Sequence, residues 1–555
     1  MKTSNYLYTQ KHHLDRIIKS FSIALTSSKS RLILILMVAF FSSNLVSAQK
    51  KLKKAISQAE EFIARDDFKT AASILKNYEN IEPTNGLLNL RLGYCYLNMD
   101  STTELSISLL QQAVASFPLK KKKNDYAFQA RFYLGQAYHT NYRFKEALNE
   151  FQALESKIPP KSKDLLASVQ KELNYAKNAI KLSENPVNFK ITNLGSGINT
   201  NFDEYSPVVS ADETQLIFTS NRKGTGDYMT PDSLYFEDIY ISKLWNNEWS
   251  KAEPIGYKIN TEGNNASISI SADMRTLFIY EYDGISGDLY YSNLNFDGWS
   301  TPEKLPRPIN STYSETHASM SIDSNTLYFT SDRPGGYGGY DIYATHKLPT
   351  GEWGKEINLG PVINTIGDEE SPFIHADGKT LYFCSTNHTS MGGFDIFKST
   401  QNDSAQWSEP VNIGYPINTP DDDLFYIPTI DGQRVYFASR RQGGFGRSDL
   451  YLIEFSDNDP RSLAVIAGYV FDNEKQPYSE AIITLSDKET GDVIGIYRAN
   501  PSTGKFIAIA PSGKSYTISY ESDKETITKD IQIPNRANFT SGNWAFYIDP
   551  VFISR

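Results

Sequence analysis

The sequence predicts a multidomain chain: an all-α region of helix pairs, an all-β five-bladed β-propeller closed by an N-terminal strand, and a small β-sandwich. The first observation behind this is a repeat. Ile-Asn recurs at Ile259-Asn260, Ile309-Asn310, Ile363-Asn364 and Ile417-Asn418, at spacings of 50, 54 and 54 residues. Blocks such as Asp377 to Phe383 and Asp431 to Phe437 return once per period, and a repeat of this length filled with short β-type runs is one four-stranded blade. The second observation is length, because 555 residues are too many for one core. The third is composition: 35 Tyr and 30 Phe suit a chain dominated by strands.

Taken in order, residues 1–48 read as a signal peptide. Lys29 and Arg31 precede the apolar run Leu32 to Phe41, and Val46-Ser47-Ala48 offers small residues for cleavage before Gln49. The run is short for a membrane span, so no direct transmembrane anchor is expected and the mature chain should be soluble and periplasmic. Cys95 and Cys384 are expected as two buried thiols rather than a bridge.

Residues 50–184 read as helices. Leu134-Gly135, Tyr138, Ala147, Phe151 and Pro159 fall at the spacing of the tetratricopeptide repeat, in which small residues let two helices close on each other. The same frame fits Ala59, Phe62, Ala71, Leu75 and Pro83, and again Leu92-Gly93 with Tyr96. Asp164 to Leu182 is expected as a capping helix. Stacked helix pairs of this kind present a groove to proteins.

Residues 187–457 hold the blades. Asp212, Asp273, Asp323, Asp377 and Asp431 precede the apolar strands at Leu216, Leu277, Leu327, Leu381 and Val435. Asp238, Asp288, Asp341, Asp395 and Asp449 then open the next strand of each copy. Four copies end in a Trp-centred outer strand and the fifth does not; Pro186 to Asn199 matches the absent piece and is expected to complete the last blade. Residues 463–550 follow with Val465 to Val470, Ala481 to Leu485, Thr503-Gly504-Lys505-Phe506 and Tyr516-Thr517-Ile518, short strands broken by Gly and Pro as in a β-sandwich.

The string Ser331-Asp332-Arg333-Pro334-Gly335-Gly336-Tyr337-Gly338-Gly339-Tyr340-Asp341-Ile342-Tyr343 resembles the WD40-like (PD40) repeat of the TolB propeller. The last unit resembles the carboxypeptidase regulatory-like domain. In this order the three regions are similar to the PorE-like accessory proteins of type IX secretion, without their OmpA-like domain and without a lipid-acceptor Cys near the cleavage site. The resemblance implies a periplasmic protein associated with the outer membrane through partners.

A net charge of −10 argues against nucleic acid as a partner. His139, His317, His346, His375 and His388 fall in no metal-ligand motif, and Asp421-Asp422-Asp423 lacks the Gly and distal Glu of a calcium loop. No Gly-x-Ser-x-Gly elbow or phosphate-cradling loop is present. No catalytic site, metal or cofactor is therefore expected. Eight residues before each turn Asp lie Glu204, Asn265, Glu315, Glu369 and Asp423. Two readings stand: an acidic rim on the channel that binds a basic segment of a partner, or a set of turn caps. Arg222, Arg333 and Arg441 are expected to brace Asp238, Asp341 and Asp449. The function expected is a non-enzymatic periplasmic scaffold for protein partners, as an accessory of type IX secretion or outer-membrane organisation. The second reading is a module that binds cell-envelope glycan or peptidoglycan.

Overall fold

The computed structural model describes residues 49–99, 103–119, 125–159, 161–224, 235–282, 286–441, 443–455, 463–535 and 545–554. The expected signal peptide lies outside the described residues. The chain divides into two compact units: residues up to Asn141 with Asn149–Lys161, and Tyr142–Leu148 with Ser162 onward.

The first unit is helical. Helix α1 covers 49–63, followed by α2 (Phe68–Glu79), α3 (Gly86–Leu97), α4 (Thr103–Ser116), α5 (Asp125–Thr140) and α6 (Phe144–Glu155), whose first turn lies in the second unit. Asp67 caps α2 by accepting from Thr70 N at 3.0 Å, and Asn85 caps α3 by accepting from Leu87 N and Leu88 N. Close helix contact depends on small residues: a Cβ on Gly93 would stand 2.8 Å from Leu110, and one on Gly135 2.5 Å from Phe151. Cys95 lies in this core and Cys384 in a sheet of the other unit, both as buried free thiols.

The second unit starts with α7 (Lys163–Ser183) and β1 (Phe189–Asn193) and continues into a β-propeller. One sheet holds β2 (Glu204–Val209), β3 (Gln215–Ser220), β4 (Asp238–Trp245), β5 (Glu248–Trp249) and β6 (Glu253–Pro254). The next holds β7 (Asn265–Ile270), β8 (Thr276–Tyr282), β9 (Gly287–Asn295), β10 (Gly298–Trp299) and β11 (Glu303–Lys304). A third runs β12 (Glu315–Met320), β13 (Thr326–Ser331), β14 (Asp341–His346), β15 (Ile357–Asn358), and a fourth β16 (Glu369–Ile374), β17 (Thr380–Ser385), β18 (Asp395–Thr400), β19 (Val411–Asn412). The last is ordered β20 (Leu424–Pro428), β21 (Arg434–Ser439), β22 (Asp449–Phe455), β1, with Phe189 opposite Phe455 and Asn193 opposite Tyr451. The innermost strands touch in the cyclic order β2, β7, β12, β16, β20 and back to β2.

Two further sheets make the sandwich. One contains β23 (Leu463–Asp472), β26 (Lys505–Pro511), β29 (Phe546–Tyr547) and β30 (Val551–Ile553). The other has the order β25 (Val493–Tyr497), β24 (Ile482–Asp487), β27 (Ser515–Glu521), β28 (Thr526–Gln532). Val465, Ala467 and Ile507 of the sandwich share a core with Met274 of the propeller, and Lys505 pairs with the buried turn residue Asp212.

The expected fold class needs correction in its modules. The capping helix does not close the helical region: α7 belongs to the β-rich unit, where Tyr175 Oη donates to Thr386 O at 2.6 Å and Asn178 Nδ2 to Ser390 O at 2.8 Å. Two propeller sheets carry a fifth short strand, because β4 and β9 are long enough to pair with two outer pieces each. Propeller and sandwich fall in one unit, since apolar surface at the turns of the first is buried by the second. No helix among the described residues is long and apolar enough to cross a membrane.

Candidate active site at the mouth of the propeller channel

Strand alternation decides which residues see the channel. Glu204, Asn265, Glu315, Glu369 and Asp423 open the innermost regions of the five sheets, and all are buried, at 0–1 % exposure. Glu204 accepts from Thr200 N and Oγ1 at 2.7 Å and from Ser220 Oγ at 2.9 Å. Glu315 does the same with Ser311 and Ser331, and Glu369 with Thr365 and Ser385. Asp423 accepts from Thr419 N and Oγ1, and Asn265 Oδ1 from Thr261 N at 2.8 Å. These side chains turn into their own blades and close turns, so they form no acidic rim.

The arginines are also corrected. Arg222 Nη2 lies 2.9 Å from Glu204 Oε1 and Arg333 Nη2 3.0 Å from Glu315 Oε1, each guanidinium stacked over two rings, while Arg441 Nε donates to Ser439 Oγ. The strand-opening aspartates accept instead from backbone and amide groups: Asp341 from Tyr337 N, Gly338 N and Asn358 Nδ2, and Asp449 from Phe445 N, Gly446 N and Asn193 Nδ2.

The residues on either side of the caps line the mouth. One position earlier, Asp203 accepts from Ser448 N, Asn264 from Glu237 N, Ser314 from Gly287 N, Asp368 from Tyr340 N and Asp422 from Phe394 N, at 3.0 to 3.4 Å. Each bond ties one sheet to the next. One or two positions later every innermost strand shifts register, between Tyr205 and Val208, Ser267 and Ser269, Glu315 and Ala318, Glu370 and Phe373, and Leu424 and Ile427. Ser206, Ser371 and Phe425 take positive φ there, at 51°, 51° and 58°. Bulges re-aim side chains, and these gather Tyr205, His317, Glu370 and Phe425 around the axis. Phe425 stacks on Tyr205 at 5.9 Å between ring centroids and lies 5.5 Å from the His317 ring. Glu237 accepts a hydrogen bond from the Tyr205 phenol.

Below the mouth the channel lining is mostly apolar. A cavity of about 100 Å³ is lined by Val208, Ile270, Met320, Ile374 and Ile427, and Ile509 of the sandwich reaches it from the far end.

The charges at the mouth follow from this burial. Glu370 is pushed up to about 7, first by burial and then by Asp368 and Asp422. His317 is lowered to about 4 by burial, and its Nδ1 stands 3.6 Å from Glu370 Oε2, too far for a hydrogen bond. Burial moves both groups toward their neutral forms, which weakens any ion pair between them. Burial also raises Glu237, against the pull of the Tyr205 hydrogen bond, and pushes the nearby Tyr280 phenol up to about 12. Two carboxyls near one phenol thus sit in different surroundings, one hydrogen-bonded and one not. Burial raises both, and only Glu237 has a hydrogen bond that opposes the rise.

The other histidines serve the scaffold: His388 Nε2 lies 2.9 Å from Ile363 O, His375 Nε2 3.2 Å from Thr429 O, and His346 Nδ1 2.8 Å from Thr326 Oγ1. Among the described residues no group of three or more His, Cys, Asp or Glu could hold a metal ion. Sequence reasoning passed over Glu237 and Glu370. The available signal was the period of two: Glu369-Glu370 sends one carboxyl into the blade and its neighbour to the channel.

No protein-family profile matches the chain, and no curated protein matches it. Similar solved structures include a glycoside hydrolase (TM-score 0.35, 11% identity, 52% of this chain and 96% of that one). An α-L-arabinofuranosidase from Lactobacillus brevis has TM-score 0.32 and 12% identity over 53% of this chain and 95% of that one. A Penicillium chrysogenum α-L-arabinanase complexed with arabinobiose has TM-score 0.29 and 11% identity over 62% and 98%. These three neighbours are glycoside hydrolases, and none is a scaffold protein. The expected fold class and the expected non-enzymatic scaffold are corrected by this comparison, since the neighbours are hydrolases. The carboxyls of the mouth come from different sheets, so no contiguous motif joins them.

Proposed function

We propose that the channel mouth is an acid–base hydrolytic site for a glycan. The observation that carries this is Glu370, a carboxyl held near neutrality at a channel that also presents Glu237 and the rings of Tyr205, Tyr280 and Phe425. Aromatic faces with hydroxyl and carboxyl groups between them suit a sugar, which offers C–H faces and a girdle of hydroxyls. Glu370 gives its proton to the bridging oxygen as the glycosidic C–O bond breaks, and the leaving sugar departs as an alcohol. Water adds to the anomeric carbon and passes a proton to the Glu237 carboxylate. Proton return from Glu237 to Glu370 through solvent completes the cycle, and one water is consumed per bond cut. The export signal expected at residues 1–48 would bring such an activity to glycans outside the cytoplasm.

The test is a panel of aryl glycosides and oligosaccharides assayed across pH. Turnover should fall as pH rises through about 7, where Glu370 loses its proton. Glu370→Gln should lower kcat by about 100-fold or more with the fold intact. Absence of hydrolysis on every substrate, or equal rates in the variant, overturns the proposal.

A further inference from the structure

The sandwich leaves one sheet edge poorly protected. In the order β25, β24, β27, β28, the outer strand β28 carries Asp530, paired with Lys488 at 2.7 Å, and exposes Thr526, Thr528 and Gln532. Charged and polar residues discourage a second chain from adding to such an edge. The opposite edge, β25, reads Val493-Ile494-Gly495-Ile496-Tyr497 and contains no charge. Val493 is 58 % exposed, Ile494 36 % and Ile496 67 %. Among the described residues its protection is a register shift across Ile494, where Gly495 opposes Leu485 and Val493 opposes Ser486. Just beyond each end stands an exposed charge, Asp492 before the strand and Arg498 after it.

We propose that β25 pairs antiparallel with β25 of a second copy of this chain, about a two-fold axis at Gly495. That register sets Ile494 opposite Ile496 of the copy, Val493 opposite Tyr497, and Asp492 opposite Arg498, twice each. The apolar side chains of one edge are covered by those of the other. The charges are complementary at both ends, which an unrelated strand would have no reason to match. Arg498 is held at this end of the strand, where Nη1 donates to Glu480 O at 2.9 Å. Each sheet would then run on into a continuous eight-stranded sheet, and Gly495 at the axis brings no side chain between the two backbones.

The experiment is the molar mass of the full chain by light scattering or sedimentation over a wide range of concentration. The parent should reach twice the monomer mass. Ile496→Lys should halve it with an unchanged melting transition. Asp492→Arg should weaken the dimer by setting two arginines together at each end, and Asp492→Arg with Arg498→Asp should restore it. A monomeric parent, including one that captures an unrelated extended peptide at this edge, overturns the proposal. So does a dimer that survives Ile496→Lys, or a double variant no better than Asp492→Arg alone.

Discussion

Glu370 illustrates how one residue can be chemically useful at a cost to the fold. Its carboxyl moves from 4.5 to about 7 because burial and two neighbouring aspartates disfavour the charge. The sign follows from proton binding. Between about 4.5 and about 7 the folded chain holds a proton that the unfolded chain has released, so stability falls as pH rises through that window. Below it the group contributes nothing, and above it the loss is complete. Glu370→Gln should match the parent at pH 4 and exceed it above pH 7. The gain should be at most about 3 kcal/mol, and less to the extent that solvent reaches the carboxylate. Denaturant unfolding of both proteins at several pH values measures it, and identical pH slopes would assign the titration to another group. The same substitution is expected to remove activity, so a loss of turnover with a gain in stability separates the site from mere structural damage.

At the scale of the element, the second sheet shows how tightly the turn caps are wired. Four sheets pair an acidic cap with a Ser at the end of the neighbouring strand region: Glu204 with Ser220, Glu315 with Ser331, Glu369 with Ser385, and Asp423 near Ser439. In the second sheet the cap is Asn265 and the residue opposite it is Glu281. The carboxyl has changed strands, and one acid per cap is kept. Burial raises Glu281. Asn265→Glu would set two carboxyls face to face and should destabilise the chain by about 2 kcal/mol or more. Adding Glu281→Ser should recover most of the loss. Thermal denaturation of the single and double variants decides this, and additive effects would mean that the two positions do not communicate.

At the scale of the whole molecule, the ring is held where its ends meet. Strand β1 hydrogen-bonds β22 along its length, Asn193 Nδ2 donates to Asp449 Oδ2 at 2.7 Å, and Asn199 bonds both N and O of Leu450. Across the same seam Arg434 of the last sheet reaches the buried Glu213 of the first, with Nε 3.0 Å from Oε2. Deleting residues 187–199 would expose the edge of β22 and strip Asp449 of one donor. The melting temperature should drop by about 10 °C or more, and limited proteolysis should cut first in the last sheet. An unchanged melting curve and digestion pattern would show that the seam is held by Glu213 and Arg434 without β1.

Much of this was readable from local pattern. The recurring Asp at 212, 273, 323, 377 and 431 marks the turn before β3, β8, β13, β17 and β21, because a turn needs a side chain that hydrogen-bonds its own backbone. The alternation of apolar and polar residues likewise marks the strands. Side-chain direction was not readable to the same degree. A strand reverses its facing at every residue and a bulge reverses it again, so Glu369 and Glu370 exchange roles on the strength of a register that only the neighbouring strand sets. The grouping of α7 with the propeller was equally out of reach, since its apolar face is satisfied by Met391 and Phe144, distant in sequence. Composition and period are properties of the chain alone; the mouth, where Glu237 and Glu370 both bear on Tyr280, exists only once separate sheets have closed around one axis.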